Sequence, residues 1–241
     1  MSEPGTVSRS SLRGARPPEI VVLSGATGGV GEVVAEHLAS VGAKLVLPVR
    51  SDLQCVRERF PEALVVQADL LDVESTGRVA KAARELHGSV DAVVNLAGGF
   101  ATGSALELKG EELEHQLDLN LRTAVHLTGA FLSDLVERGS GAIVGISAGA
   151  AARGGKRQAA YAASKAALEG YLRSVRLEVE PQGVAVSLLV PEGTIDTPAN
   201  RADMPDADPA AWISPQAVAQ AVWYLASRHP GGQVGELRLH A

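Results

Sequence analysis

From Glu19 onward the chain alternates two kinds of segment. Short runs rich in Val, Leu and Ile fall at 20–23, 44–49, 63–67, 92–95, 142–146 and 184–190, with a weaker run at 236–239. Between them, apolar residues recur every three or four positions over 29–41, 52–60, 72–87, 110–138, 158–180 and 214–227. The first pattern predicts strands and the second amphipathic helices. The strands are almost continuously apolar, so both faces of their sheet should be covered. Asp72, and Ser214 followed by Pro215, supply helix-start signals. Leu117, Leu121, Ala124, Thr128, Phe131, Leu132 and Leu135 share one helical face, as do Tyr161, Lys165, Leu168, Leu172, Val175 and Val179. Right-handed crossovers then give a doubly wound parallel α/β sheet in one domain over 19–241, with neither an internal repeat nor a linker.

Composition narrows the partners. The 241 residues suit one fully cored domain. A net charge of −6 argues against a polyanionic partner, so no nucleic acid is expected. Residues 1–18, with Arg9, Arg13, Arg16 and Pro17-Pro18, read as a disordered tail. No long apolar stretch or signal-peptide core occurs, which predicts a soluble, cytoplasmic protein away from membranes. Cys55 is the one cysteine, and the six histidines show no ligand spacing, so neither a disulfide nor a metal is expected.

Strand 20–23 runs into Ser24-Gly25-Ala26-Thr27-Gly28-Gly29-Val30-Gly31 and then a helix. Glycines there let backbone N–H groups approach a pyrophosphate at the positive end of the helix. The second strand ends at Pro48-Val49-Arg50-Ser51, with no carboxylate among them to take the ribose hydroxyls. Arg50 and Ser51 can instead hold a 2′-phosphate, which favours NADP(H) over NAD(H).

Tyr161 and Lys165 stand four residues apart on one helical face, about 6 Å in rise. At that distance and an effective dielectric of about 20, a unit charge supplies about 2.8 kcal/mol, or about two pKa units toward a usable phenol base. Ser147 ends the fifth strand, where its hydroxyl could bond a substrate carbonyl, and Asn120 lies in the long preceding helix.

Together these residues resemble the short-chain dehydrogenase/reductase superfamily, from about residue 19 to the C-terminus. Its glycine motif is matched by Ser24, Gly25, Gly29 and Gly31, and its NNAG motif by Asn95-Leu96-Ala97-Gly98. The resemblance implies a Rossmann-type sheet of order 3-2-1-4-5-6-7 and a catalytic tetrad of Asn120, Ser147, Tyr161 and Lys165. Tyr161 would be the general acid or base, Ser147 would polarise the carbonyl, Lys165 would tune the phenol and hold the nicotinamide ribose, and Asn120 would anchor a water. Cofactor contacts are implied for Ser24, Gly25, Thr27, Gly28, Gly29, Val30, Gly31, Arg50, Ser51, Asp69, Leu70, Asn95, Ala97, Gly98, Tyr161, Lys165, Pro191, Gly193, Thr194 and Ile195. The implied reaction is hydride transfer between NAD(P) and a small carbonyl or alcohol, EC 1.1.1.-, in a homotetramer or homodimer paired through the long helices. Ala124, Ala167 and Leu172 are expected on their outer faces.

Glu192 stands where the family carries a glycine, facing the nicotinamide or merely solvating the loop. The substrate crevice is expected between Phe100, the 148–152 loop and a substrate loop at 191–213. The 197–212 segment resembles that of dihydropteridine reductase-like members, which lack the serine found here as Ser147. Arg153, Lys156 and Arg157 could meet an acidic substrate or form a solvated edge. Three other readings compete. Gly28 also fits the extended branch of epimerases and dehydratases, but only about 50 residues follow Val190. Gly145-Ile-Ser147-Ala-Gly149, with Asp196 and His229, mimics an esterase elbow, yet a loop rather than a helix is expected after it. A cofactor-binding regulator without turnover is the third, and the intact tetrad speaks against it.

Overall fold

The computed structural model describes residues 16–227 and 232–241. Most of the expected tail, with Arg9 and Arg13, therefore lies outside the described residues, as does His229; within 16–18, Pro18 is buried. Seven strands form one parallel sheet: β1 Ile20–Leu23, β2 Lys44–Val49, β3 Leu64–Gln67, β4 Ala92–Asn95, β5 Gly141–Ile146, β6 Val184–Pro191 and β7 Glu236–Leu239. Their order is β3-β2-β1-β4-β5-β6-β7, the doubly wound arrangement expected. The order reverses between β1 and β4, whose register pairs Leu23 with Val94. Ligands of open α/β sheets bind at such a switch point, beyond the carboxyl ends of the strands.

Nearly every residue of β1, β2, β4, β5 and β6 is buried, because helices cover both faces. On one face α1 (Gly29–Ser40) packs beside α9 (Pro215–Ala226). Their core joins Val34, Leu38, Val218 and Val222 to Leu47 and Val144 of the sheet. On the other face lie α3 (Val73–His87), α5 (Thr123–Arg138) and α7 (Ala159–Val179), where Phe131, Leu135, Leu168 and Leu172 pack on Val93, Ile143 and Leu188. The remaining helices are α2 (Leu53–Arg59), α4 (Gly110–Leu117), α6 (Ala150–Arg153) and α8 (Pro198–Asp203). Both expected caps form: Asp72 Oδ1 accepts from Glu74 N at 3.0 Å, and Ser214 Oγ from Gln216 N at 3.2 Å.

Three details differ from the sequence reading. The helix expected over 110–138 is interrupted by a π-helical turn at Asp118–Arg122, which joins α4 to α5. Such a turn inserts one residue into the helical repeat, and here it carries Asn120 inward. The 150–153 stretch, expected as loop, makes one helical turn before Gly154, at φ +70°, ends it. Finally, Ala124 and Leu172, expected on outer faces, are buried against the sheet, because the apolar stripes of α5 and α7 are spent on the core.

The approach of α7 to the sheet depends on a glycine. A methyl group added at Gly145 of β5 would fall 2.2 Å from Leu172 Cδ1, and Leu172 is 1% exposed with no room to withdraw. Overpacking of this kind costs about 1–3 kcal/mol. We expect Gly145→Ala to lower the unfolding free energy by about that amount in urea denaturation, and Leu172→Ala added to it to cost less than the two single changes summed.

Candidate active site

The loop leaving β1 is built by contacts that exclude side chains. Gly25 has φ +76°, and a Cβ there would lie 2.7 Å from Ala97 N; one at Gly31 would lie 1.9 Å from Gly25 O. Gly28 N donates to Gly25 O at 3.0 Å, closing the turn directly before α1. Ser24 does a different job from the one expected of it. Its buried hydroxyl donates to Val94 O at 3.3 Å and accepts from Leu96 N and Ala97 N, each at 3.1 Å, so it ties β1 to the end of β4. Asn95 is likewise buried and donates to Thr128 Oγ1 at 2.9 Å, away from the loop.

A crevice of about 830 Å³ opens above these strand ends. Thr27, Gly28, Gly29, Val30 and Gly31 line one part of it, with Arg50, Asp69 and Leu70 nearby; Ala97 and Gly98 follow, then Tyr161, and Pro191, Gly193, Thr194 and Ile195. The expected cofactor residues thus converge on one surface, except Ser24, Ser51, Asn95 and Lys165, whose side chains act from behind or beside it. Phe100 and Met204 also line it, as do Ala148 to Ala150, whereas Ala151, Ala152 and the residues after Met204 are not among the lining residues. At the far end from Tyr161, Arg50 is exposed and makes no hydrogen bond or ion pair among the described residues. Ser51 Oγ donates to Asp52 Oδ2 at 2.9 Å, where Asp52 adopts a left-handed backbone at φ 59°. A carboxylate missing from the 48–51 segment is therefore present one residue later. Asp69 Oδ1 accepts from Leu71 N at 2.9 Å, and Leu70 O faces His126 Nδ1 at 2.9 Å.

Lys165 is buried, and its Nζ donates to Ile146 O at 2.9 Å. A Cβ on Gly98 would stand 3.5 Å from that Nζ and 2.7 Å from Asn120 Oδ1, so the glycine after β4 makes room for both side chains. Asn120 clamps the same segment: Oδ1 accepts from Gly99 N at 3.1 Å, and Nδ2 donates to Gly99 O at 2.9 Å and Ser164 Oγ at 3.1 Å. Tyr161 meets Phe100 edge to face, with ring centroids 4.9 Å apart.

Two expectations about this cluster are corrected. Lys165 does not bring the phenol toward neutrality here: burial pushes Tyr161 up to about 12 and Lys165 down to about 8. The same low-polarity surroundings that would strengthen their attraction penalise both charged forms, and the ammonium is aimed at a backbone carbonyl. Ser147 is the second. It lines the crevice as expected, but its hydroxyl donates to Glu169 Oε1 at 2.7 Å, so its single proton is committed to a buried carboxylate. The same bond leaves the esterase-like pattern without an activated nucleophile, and Asp196 is paired with Arg201 at 2.6 Å.

Glu169 is the functional neighbour that the sequence reading missed. It lies four residues past Lys165 on α7, a spacing open to reading, but nothing in the sequence says which way Ser147 points. Glu192 proves neither solvated nor free: its side chain is 3% exposed and bonded by both Arg153 and Arg238.

The model of the short-chain dehydrogenases matches residues 19–208. The chain is 32% identical to the oxidoreductase YxnA of Bacillus subtilis over 226 residues, covering 88% of this chain but 63% of that longer relative. An oxidoreductase of Staphylococcus epidermidis is 28% identical over 92% of this chain and 96% of its own length. Among solved structures, a short-chain dehydrogenase from Streptomyces avermitilis superposes with a TM-score of 0.79 at 26% identity, over 92% of this chain and 87% of that one. A short chain dehydrogenase/reductase family protein gives 0.80 at 30% identity, over 91% and 94%. The strand order, the glycine turn and the matched residues lead to one assignment: this chain belongs to the short-chain dehydrogenase/reductase family and is an oxidoreductase of that family.

Proposed function

We propose that the protein reduces a small carbonyl compound, or oxidises the corresponding alcohol, with NADP(H) preferred over NAD(H). The observation that carries this reading is that the glycine loop, Arg50 and Tyr161 all line one crevice. The residues fit that group: a side chain at Gly25 would collide with the Ala97 backbone and one at Gly31 with Gly25 O, so the loop stays close to the strand ends, and Gly28, Gly29 and Val30 at the α1 N-terminus line the crevice. When bound, the nicotinamide supplies the hydride to the carbonyl carbon.

Tyr161 supplies the proton to the carbonyl oxygen. A phenol held at about 12 stays protonated through the physiological range, the form a proton donor needs. Lys165 and Asn120 hold the ribose side of the site in register, through Ile146 O and the Gly99 backbone. Ser147, bound to Glu169, braces the end of β5, and carbonyl polarisation rests on Tyr161. This arrangement weakens the serine as an objection to a pteridine-type substrate, so a dihydropteridine belongs in the substrate panel beside ketones and aldehydes.

Tyr161→Phe should lower kcat by at least about 10³-fold, within the range of a lost general acid, with NADPH affinity within threefold by nicotinamide fluorescence. Ser147→Ala should lower kcat by less than about tenfold, since a carbonyl donor would cost about 10²-fold or more. Equal losses in the two variants would return Ser147 to the carbonyl.

Lys165 loses its proton as pH rises through about 8, and with it the positive charge beside the crevice. The ratio kcat/KM for NADPH reports the free enzyme. It should therefore be flat below pH 8 and fall above it; a level profile to pH 10 would reject this role. At the ribose end, Arg50→Ala should weaken NADPH binding about tenfold and leave NADH within twofold, as loss of about 1.4 kcal/mol at one charge-assisted contact implies.

A further inference from the structure

An alternating row of charges runs behind the substrate end of the crevice. Glu169, which holds Ser147, is bonded by Arg173 at 2.7 Å; Arg173 reaches Glu236 at 3.1 Å, and Glu236 meets Arg238 at 2.6 Å. Arg238 then bonds Glu192 Oε1, and Arg153 bonds Glu192 Oε2. Three carboxylates and three guanidiniums thus run from Ser147 round the β6–β7 edge and return to the crevice wall at Arg153.

The two ends of the row are unlike. Glu192 is 3% exposed in its side chain and carries two guanidiniums, with Arg153 first among the causes that hold its carboxyl below the usual range. Arg153 is 61% exposed in its side chain, lines the crevice, and among the described residues is bonded by its side chain to Glu192 alone. A guanidinium has five N–H donors, so most of its capacity faces open space. The local backbone is shaped around this pair: a Cβ at Gly149 would fall 2.3 Å from Glu192 Oε2 and 2.5 Å from Arg153 Nη2. Among the described lining residues the only other cation is Arg50, at the ribose end. Ala148, Ala150, Phe100 and Met204 line the same crevice, and the carboxylate beside Arg153 there is Glu192, which Arg238 also bonds.

We propose that Arg153, oriented by Glu192, binds a carboxylate on the substrate, so that the preferred substrates are oxo acids rather than neutral ketones. This rests on the carbonyl-reductase reading above and gives it a substrate class. One guanidinium sharing its carboxylate with Arg238 leaves a partial positive charge, which matches a single negative group in a cleft with apolar walls. Glu192 is a positioning residue: it sets the direction of the fork without touching substrate.

The test uses the full chain with phenylpyruvate and its methyl ester, in which a methyl group replaces the negative charge. With NADPH, the wild-type ratio of kcat/KM for acid over ester should exceed about 30, and Arg153→Met should bring it near one, chiefly through KM for the acid. Arg153→Lys keeps the charge and should retain part of the ratio, which covers the case in which the methionine variant leaves Glu192 too poorly compensated to fold. Glu192→Gln should raise KM for the acid several-fold with a smaller change in kcat. Direct calorimetric titration with the two compounds reads the same preference without turnover. Binding of the acid that is tighter than the ester and lost in Arg153→Met supports the proposal even if no reduction occurs, in which case the carbonyl-reductase reading fails alone. Equal binding of acid and ester, binding of neither, or a ratio unchanged by Arg153→Met overturns it.

Discussion

The site depends on how closely α7 lies on the sheet. Gly145 has no side chain, so Leu172 seats directly on β5, and Lys165 reaches the carbonyl of Ile146 at the end of the same strand. That seating fixes the whole helix, and Tyr161, Lys165, Glu169 and Arg173 recur along it every four residues, close to one helical stripe. The first residue faces the crevice beside Phe100, the second anchors under Gly98, the third takes Ser147, and the fourth begins the charge row that leads to Arg153. A displacement of α7 would therefore disturb Tyr161, Lys165 and the Ser147–Glu169 contact together, because one rigid element carries them.

Burial governs the electrostatics of this stripe more than pairwise attraction does. The spacing of Tyr161 and Lys165 suggests a cation that lowers a phenol, yet the interior penalises the phenolate and the ammonium alike. Further along, Glu192 is also buried, yet Arg153 and Arg238 against it hold its carboxyl below the usual range. Burial thus disfavours charge on an unpaired group, while a guanidinium partner favours it on a paired one.

Much of this was legible in the residue pattern. Seven apolar runs became seven strands, with ends moved by one residue at most, because a parallel sheet covered on both faces needs continuous hydrophobicity. The glycine turn was readable because its backbone tolerates no Cβ at Gly25 or Gly31. The π-helical turn at Asp118–Arg122 was not, since it preserves the apolar periodicity on either side and is stabilised by bonds from Asn120 to Gly99, distant in sequence. Nor was the inward burial of Leu172 and Ala124, as a helix with small residues on several faces leaves its orientation to the packing.

The sequence by itself determined the doubly wound fold, the glycine turn after β1 and the presence of Tyr161 and Lys165 one helical turn apart, because local periodicity and backbone sterics are written in neighbouring residues. Only the tertiary structure decided what the polar groups do. Ser24, Ser147 and Glu192 each bond partners 22 to 73 positions away. A hydroxyl or carboxylate takes its role from whatever long-range partner the fold brings within about 3 Å.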